Sequence, residues 1–255
     1  MKLNIVVPMA GRGSRFADAG YTVPKPLIPL GGRPMIQWVV DNIRPARAHR
    51  FVFICQQAHL ETFPNVPATL RRIAPGCEII AVREVTQGAA CTVLLARNLI
   101  DGAEPLLIAN SDQFVDQDIN CYLATGDSPE VDGHFMTFPA SDPKWSYCRL
   151  GPDGAVTEVV EKRVVSQEAT VGIYSFRRGA DFVRAADEMI ARDLRTNGEF
   201  YVAPTYNLLI EAGACIRTHR IASEGVGMHG LGTPEDFIRF QQTEVFGRLA
   251  TSHAA

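Results

Sequence analysis

The stretch that most limits the fold is a short apolar run, Asn4-Ile5-Val6-Val7-Pro8-Met9, which stops at a glycine-rich basic loop, Ala10-Gly11-Arg12-Gly13-Ser14-Arg15-Phe16. Such a run reads as a buried strand. Gly11 and Gly13 let the backbone turn sharply and bring its N–H groups close to a ligand. Arg12, Arg15 and Lys25 add three positive charges. The natural guest of such a loop is a polyphosphate. Gly-x-Gly turns also serve as plain strand-to-helix connections, and the spacing alone does not choose between the two. No Gly-Lys-Ser/Thr follows, so this is not a P-loop. Phe16 stands where a Rossmann fingerprint carries its third glycine. The next segment, Pro24-Lys25-Pro26-Leu27, tips the balance. Two prolines stiffen the backbone around one lysine and hold it in a fixed direction, a splint that a solvated lysine does not need.

Further along, strand and helix patterns alternate. Residues 34–43 have helical apolar spacing with a proline at the start. Residues 51–55 read as a strand and 57–75 as partly helical, interrupted by Pro64 and Pro67. Residues 77–82 read as a strand, 88–99 as a helix and 106–109 as a strand. The alternation implies an α/β chain with a largely parallel sheet in three layers. Ligands of such sheets bind beyond the C-terminal strand ends, where the loops after Met9, Val82 and Ala109 lie. After residue 130, strands are expected at 133–139, 147–150, 156–161, 169–176 and 215–221. Helices are expected at 179–191, 199–212 and 233–249. No repeat or linker interrupts the chain. One domain over 1–255 is the expectation, with about 1–130 binding the nucleotide and 131–250 the acceptor.

The formal net charge of -3 argues against a general nucleic-acid binder, so a phosphate site would be a local basic patch. The six cysteines include no Cys-x-x-Cys pair, and most sit in apolar runs as core thiols. With no leader evident and no stretch long enough to cross a membrane, a cytoplasmic location is expected. The dispersed histidines form no zinc or Ser/His/Asp pattern.

Gly11-x-Gly13-x-Arg15-Phe16 followed by Pro24-Lys25-Pro26-Leu27 resembles the signature of the nucleotidylyltransferases that activate sugar 1-phosphates. The resemblance implies a three-layer, Rossmann-like, mixed and mostly parallel sheet, the nucleotide-diphospho-sugar transferase fold. It implies an NTP and a small phosphorylated acceptor as partners, with Mg²⁺ as cofactor. Arg15, Lys25 and Asp112 become the catalytic candidates. Ala10, Gly11, Arg12, Gly13 and Ser14 would cradle phosphates. No nucleic-acid or membrane partner is expected, and a homo-oligomer is compatible with everything in the sequence.

The remaining candidates each have a plain reading beside the functional one. Asp112, in Asn110-Ser111-Asp112, can hold Mg²⁺ through a hard oxygen or simply close a turn; the resemblance assigns it the metal. Gln87-Gly88 can face a pyrimidine edge or start a helix; the resemblance assigns it the base. Glu161-Lys162 can be an exposed ion pair; the resemblance assigns it the acceptor, together with Tyr147. Three departures from the family bear on the acceptor: Cys148 replaces a glycine, Arg163 a proline, and Gly230 the aspartate that in many relatives is a second metal ligand. These departures keep open a non-sugar acceptor such as phosphocholine, and a non-catalytic nucleotide-binding relative remains the rival class. Thr233-Pro234-Glu235-Asp236 has a local explanation as a capped helix start.

Overall fold

In the computed structural model, which describes residues 1–11 and 13–252, the opening apolar run is strand β1 (Leu3–Met9), fully enclosed by its neighbours. A short helix α1 (Ser14–Asp18) follows, then a minimal hairpin of β2 (Pro29–Leu30) and β3 (Arg33–Pro34). Helix α2 (Met35–Asn42) leads to β4 (His49–Gln56), and α3 (Gln57–Thr62) and α4 (Asn65–Ile73) lead to β5 (Glu78–Val82). Helices α5 (Ala89–Leu94) and α6 (Arg97–Ile100) precede β6 (Leu106–Ala109). Then come β7 (Gln113–Val115) and α7 (Ile119–Ala124). Four further strands follow: β8 (Gly133–Pro139), β9 (Ser146–Leu150), β10 (Val156–Glu161) and β11 (Glu168–Phe176). The chain ends with α8 (Gly179–Ala191), α9 (Thr205–Glu211), β12 (Ile216–Arg220), β13 (Met228–Gly230), α10 (Pro234–Gln241) and α11 (Glu244–Ser252).

Nine strands form one mixed sheet. Its parallel centre runs β5-β4-β1-β6. Strand β11 adds antiparallel to β6 through Ile173–Phe176 and pairs β8 on its other side. The pleat sends alternate residues of β1 to opposite layers. Ile5 and Val7 pack with Val39 of α2 and Leu70 of α4, while Val6 packs with Ala90 of α5 and Phe182 of α8. Two apolar cores thus clamp the sheet, giving the three-layer, Rossmann-like α/β architecture. No helix among the described residues is long and apolar enough to cross a membrane.

Several local expectations change. Pro64 does break α3 from α4, but Pro67 lies in the first turn of α4, where its missing N–H has no intrahelical partner to lose. The helix expected over 88–99 is two short helices. The one expected over 199–212 begins only at Thr205, because Phe200 uses its backbone to bond Gln87 and Ala90 instead. The closing helix breaks at Thr243, whose hydroxyl accepts from the Phe246 N–H and starts α11. Strands β7 and β13, which pair with each other, were too short to show a period.

Candidate active site

Strand β1 delivers the chain to the basic loop at the C-terminal edge of the sheet. The loop's first carbonyl, on Ala10, accepts a 2.8 Å bond from the Gln56 side-chain amide. Gly13 takes a left-handed conformation (φ 63°) and caps α1. Pro24, at φ −55° and ψ 140°, sets up a single 3₁₀ turn over Lys25–Leu27, closed by the Leu27 N–H on the Pro24 carbonyl. This turn aims Lys25 across the site. Its Nζ lies 2.5 Å from Asp112 Oδ2 and 5.8 Å from the centre of the Phe16 ring. A cavity of about 450 Å³ opens here, bounded by Gly11, Gly13, Phe16, Lys25, Asn110 and Asp112. Ser14 and Arg15 are exposed on α1 and do not line this cavity; the Arg15 side chain has no hydrogen-bond or ion-pair partner among the described residues. Arg12 lies outside the described residues.

Asn110 also lines a second cavity of about 220 Å³, together with Ser146, Glu161, Lys162 and Tyr201. The Asn110 amide fits because Gly172, in mid-strand, has no side chain; a Cβ there would lie 2.3 Å from Asn110 Nδ2. Glu161 is buried and accepts a hydrogen bond from Ser146 Oγ. Burial raises its pKa, partly offset by Ser146 and the neighbouring Lys162 charge. Lys162 adopts a left-handed backbone (φ 53°), which costs a non-glycine residue on the order of 1–2 kcal/mol. Its ammonium donates to the Tyr201 hydroxyl at 2.7 Å.

Other expected residues do not face these cavities. Tyr147 is fully buried and its hydroxyl donates to the Asp142 carbonyl, because adjacent β9 residues point to opposite faces and Ser146 takes the cavity side. Gln87 is exposed, lines neither cavity, and accepts through Oε1 from Arg195 at 2.6 Å. Gly88 is explained by packing: at φ 133° a Cβ would meet Phe200 O at 2.4 Å and Phe200 N at 2.5 Å. Of the family departures, Cys148 is a buried core thiol whose pKa is pushed up to about 12 by burial, and Arg163 turns outward, 3.9 Å from Glu158. Gln56 and Arg195 carried no signal in the sequence, since the partners they meet here are remote in the chain.

Among the described residues, no group of three or more His, Cys, Asp or Glu side chains could hold a metal. His229 is buried beside Val226 and bonds its carbonyl rather than facing Asp112. Among the described residues that line the larger cavity, Asp112 is the one carboxylate, and a Cβ at Gly232 would lie 3.1 Å from its Oδ2. One carboxylate suits Mg²⁺, which keeps several waters and takes further oxygens from substrate phosphates. It suits zinc poorly.

A family model described as nucleotidyl transferase matches residues 5–200. The bifunctional protein GlmU of Paracidovorax citrulli is 27% identical over 261 residues, covering 99% of this chain and 52% of that protein. The chain spans about half the length of the curated relatives it matches. A nucleoside-diphosphate-sugar pyrophosphorylase from Vibrio cholerae superposes with a TM-score of 0.76 at 28% identity, covering 94% of this chain and all of that one. The inositol-1-phosphate CTP transferase of T. maritima shares the fold at a TM-score of 0.71 and 13% identity, over 97% of this chain and 94% of its own.

Proposed function

Because this chain belongs to the nucleotidyl transferase family, we propose that it joins an NTP to a sugar 1-phosphate, giving an NDP-sugar and pyrophosphate. One observation carries the reading: Lys25 meets Asp112 on the wall of the larger cavity, and Asn110, two residues from Asp112, lines both cavities. A nucleotide in the first, built from about residues 1–130, and an acceptor in the second, built mostly from 131–250 with Ala89 and Asn110, bring the two reacting phosphates to the shared wall.

The acceptor phosphate oxygen attacks the α-phosphorus in line; the new P–O bond forms as the α–β bridge breaks and pyrophosphate leaves. No protein nucleophile is needed, since the attacking oxygen is already ionised. Catalysis is positioning and charge neutralisation. The loop amides around Gly11, Gly13 and Ser14 hold the leaving phosphates, and Arg15, exposed beside the cavity, turns in to join them when the nucleotide is bound. Lys25 bridges the α-phosphate and the acceptor phosphate. Lys162 takes the acceptor phosphate, and Glu161 accepts from its hydroxyls. Gln87 and Gly88, outside both cavities, are given to the base by the family resemblance alone, and Tyr147 backs the acceptor wall from the core. Asp112 would hold Mg²⁺, which when bound would neutralise charge at the α-phosphate.

The second cavity favours a hydroxylated anion over an alkylammonium acceptor. A quaternary amine needs free aromatic faces. Here Lys144 Nζ already lies 4.8 Å from the Trp145 ring centre and Lys162 Nζ 4.9 Å from that of Tyr201. The test is pyrophosphate release with the four NTPs against hexose 1-phosphates, inositol 1-phosphate and phosphocholine. Release with a hexose 1-phosphate is expected. Release only with another acceptor keeps the chemistry and changes the substrate. Nucleotide binding without release from any pair would point to a nucleotide sensor instead.

A further inference from the structure

Between the loop before α5 and the acceptor cavity runs the segment Arg195–Tyr201. It is bound to that loop at three points. The Phe200 N–H donates to the Gln87 carbonyl at 2.8 Å, and the Ala90 N–H donates to the Phe200 carbonyl at 3.0 Å. The Arg195 guanidinium donates to Gln87 Oε1 at 2.6 Å and stacks 4.1 Å from the Phe200 ring centre. The close approach at Gly88 leaves no slack between the two backbones, so a shift of the Gln87 loop must carry Phe200 with it. The segment is stiff in itself. Thr196 and Glu199 exchange two backbone hydrogen bonds of 3.0 Å, Arg195 donates to the Gly198 carbonyl, and Asn197 is held in the left-handed region at φ 49°.

The residue after Phe200 is Tyr201, whose hydroxyl accepts from Lys162 Nζ. Lys162 is fixed at its backbone as well, by its φ of 53° and by its N–H on the Trp145 carbonyl at 3.1 Å. Its ammonium is thus hydrogen-bonded to a neutral partner, while the Glu161 and Glu199 carboxylates act on it without a hydrogen bond. Lys25, by contrast, meets a carboxylate. A hydroxyl and a ring face orient a cation while leaving its charge for an incoming anion.

We infer that Arg195–Tyr201 is a strap through which the nucleotide-side loop sets the acceptor lysine, with Tyr201 the positioning residue for Lys162 and Arg195 the one for Gln87. The inference rests on the proposed reaction only in taking Lys162 as the acceptor's phosphate ligand; the mechanical link does not depend on it.

The test uses the full chain and two variants, Tyr201→Phe, which keeps the ring and removes the hydroxyl, and Arg195→Gln, which alters the far end of the strap. The first readout needs no substrate: the rate at which an amine-reactive reagent labels Lys162, followed by mass spectrometry. Both variants are expected to label faster than wild type, Tyr201→Phe by about tenfold, the equivalent of one charge-assisted hydrogen bond. The second readout uses the NTP and hexose 1-phosphate that release pyrophosphate fastest. Tyr201→Phe should raise the acceptor KM about tenfold and leave the NTP KM unchanged, whereas a general loss of structure would move both. A labelling rate in Tyr201→Phe within about twofold of wild type overturns its assignment. Unchanged Lys162 labelling in Arg195→Gln overturns the strap. If no pair releases pyrophosphate, the proposed reaction fails and labelling alone decides the inference.

Discussion

Lys25 and Asp112 stand 87 residues apart in sequence, yet their side chains meet at 2.5 Å. Both remain partly open to solvent, with side-chain exposures of 18% and 34%. A pair this accessible contributes little to stability, about 0–1 kcal/mol. Its place on the wall of the larger cavity, two residues from the Asn110 that lines both, is better explained by chemistry.

Lys25→Ala and Asp112→Asn should therefore each lower turnover by about a hundredfold or more, the scale of a lost preorganised charge contact. Unfolding free energies in urea should change by no more than about 1 kcal/mol. Near-normal pyrophosphate release by either purified variant would remove that residue from the mechanism.

Gly88→Ala should be much more damaging than Gly198→Ala, although both glycines have positive φ. A Cβ at 88 collides with the Phe200 backbone, while a Cβ at 198 meets nothing within 4 Å. The second change carries only the conformational penalty, about 1 kcal/mol, and the first adds a displaced backbone, for a total above about 3 kcal/mol. Chemical denaturation of the two variants measures the difference. Equal losses would mean that the contact with Phe200 is loose in solution.

Glu161→Gln should stabilise the protein at neutral pH while weakening acceptor binding. Burial raises the Glu161 pKa above 4.5, so from pH 4.5 up to its raised value the folded state holds more proton than the unfolded chain. Folding stability from this group therefore falls as pH rises through that window. The stability gap between variant and wild type should widen from pH 4.5 upward. Parallel pH profiles would contradict the buried, charge-penalised carboxylate.

His134 sets the acid limit. It is buried against Tyr122, and burial, then the nearby His219, push its pKa down from 6.5 to about 4, with Asp127 acting weakly the other way. The imidazole is neutral in the fold and charges when the chain unfolds. Its contribution is intact above pH 6.5 and is lost as pH falls from there toward 4, by up to about 3 kcal/mol. His134→Gln should flatten the stability profile between pH 6.5 and 4; an unchanged slope would assign acid sensitivity to other groups.

What the sequence made legible follows from how locally each feature is encoded. Strands β1 and β6 are continuous apolar runs, and α8 carries a full helical period, so all three could be read directly. Lys25 was visible because its two prolines are adjacent to it. The three-residue strands β7 and β13 carry too few residues for any pattern. Residues 199–204 have helix-compatible composition, but Gln87 and Ala90, more than a hundred residues earlier, claim the Phe200 backbone. For the same reason Arg195 was silent: it meets Gln87 only through the fold. Tyr147 was assigned to the acceptor by resemblance, and strand alternation turns it into the core instead.

Strand β11 lies between β6 and β8 and bonds to both. Each portion of the chain thus supplies the other with a missing sheet neighbour, and a fragment ending near residue 130 would present the bare rim of β6 to any strand it met. Expressed separately, such fragments should clump or recombine, whereas a protease nick at the exposed Asp153 turn would sever one hairpin tip and leave the sheet whole.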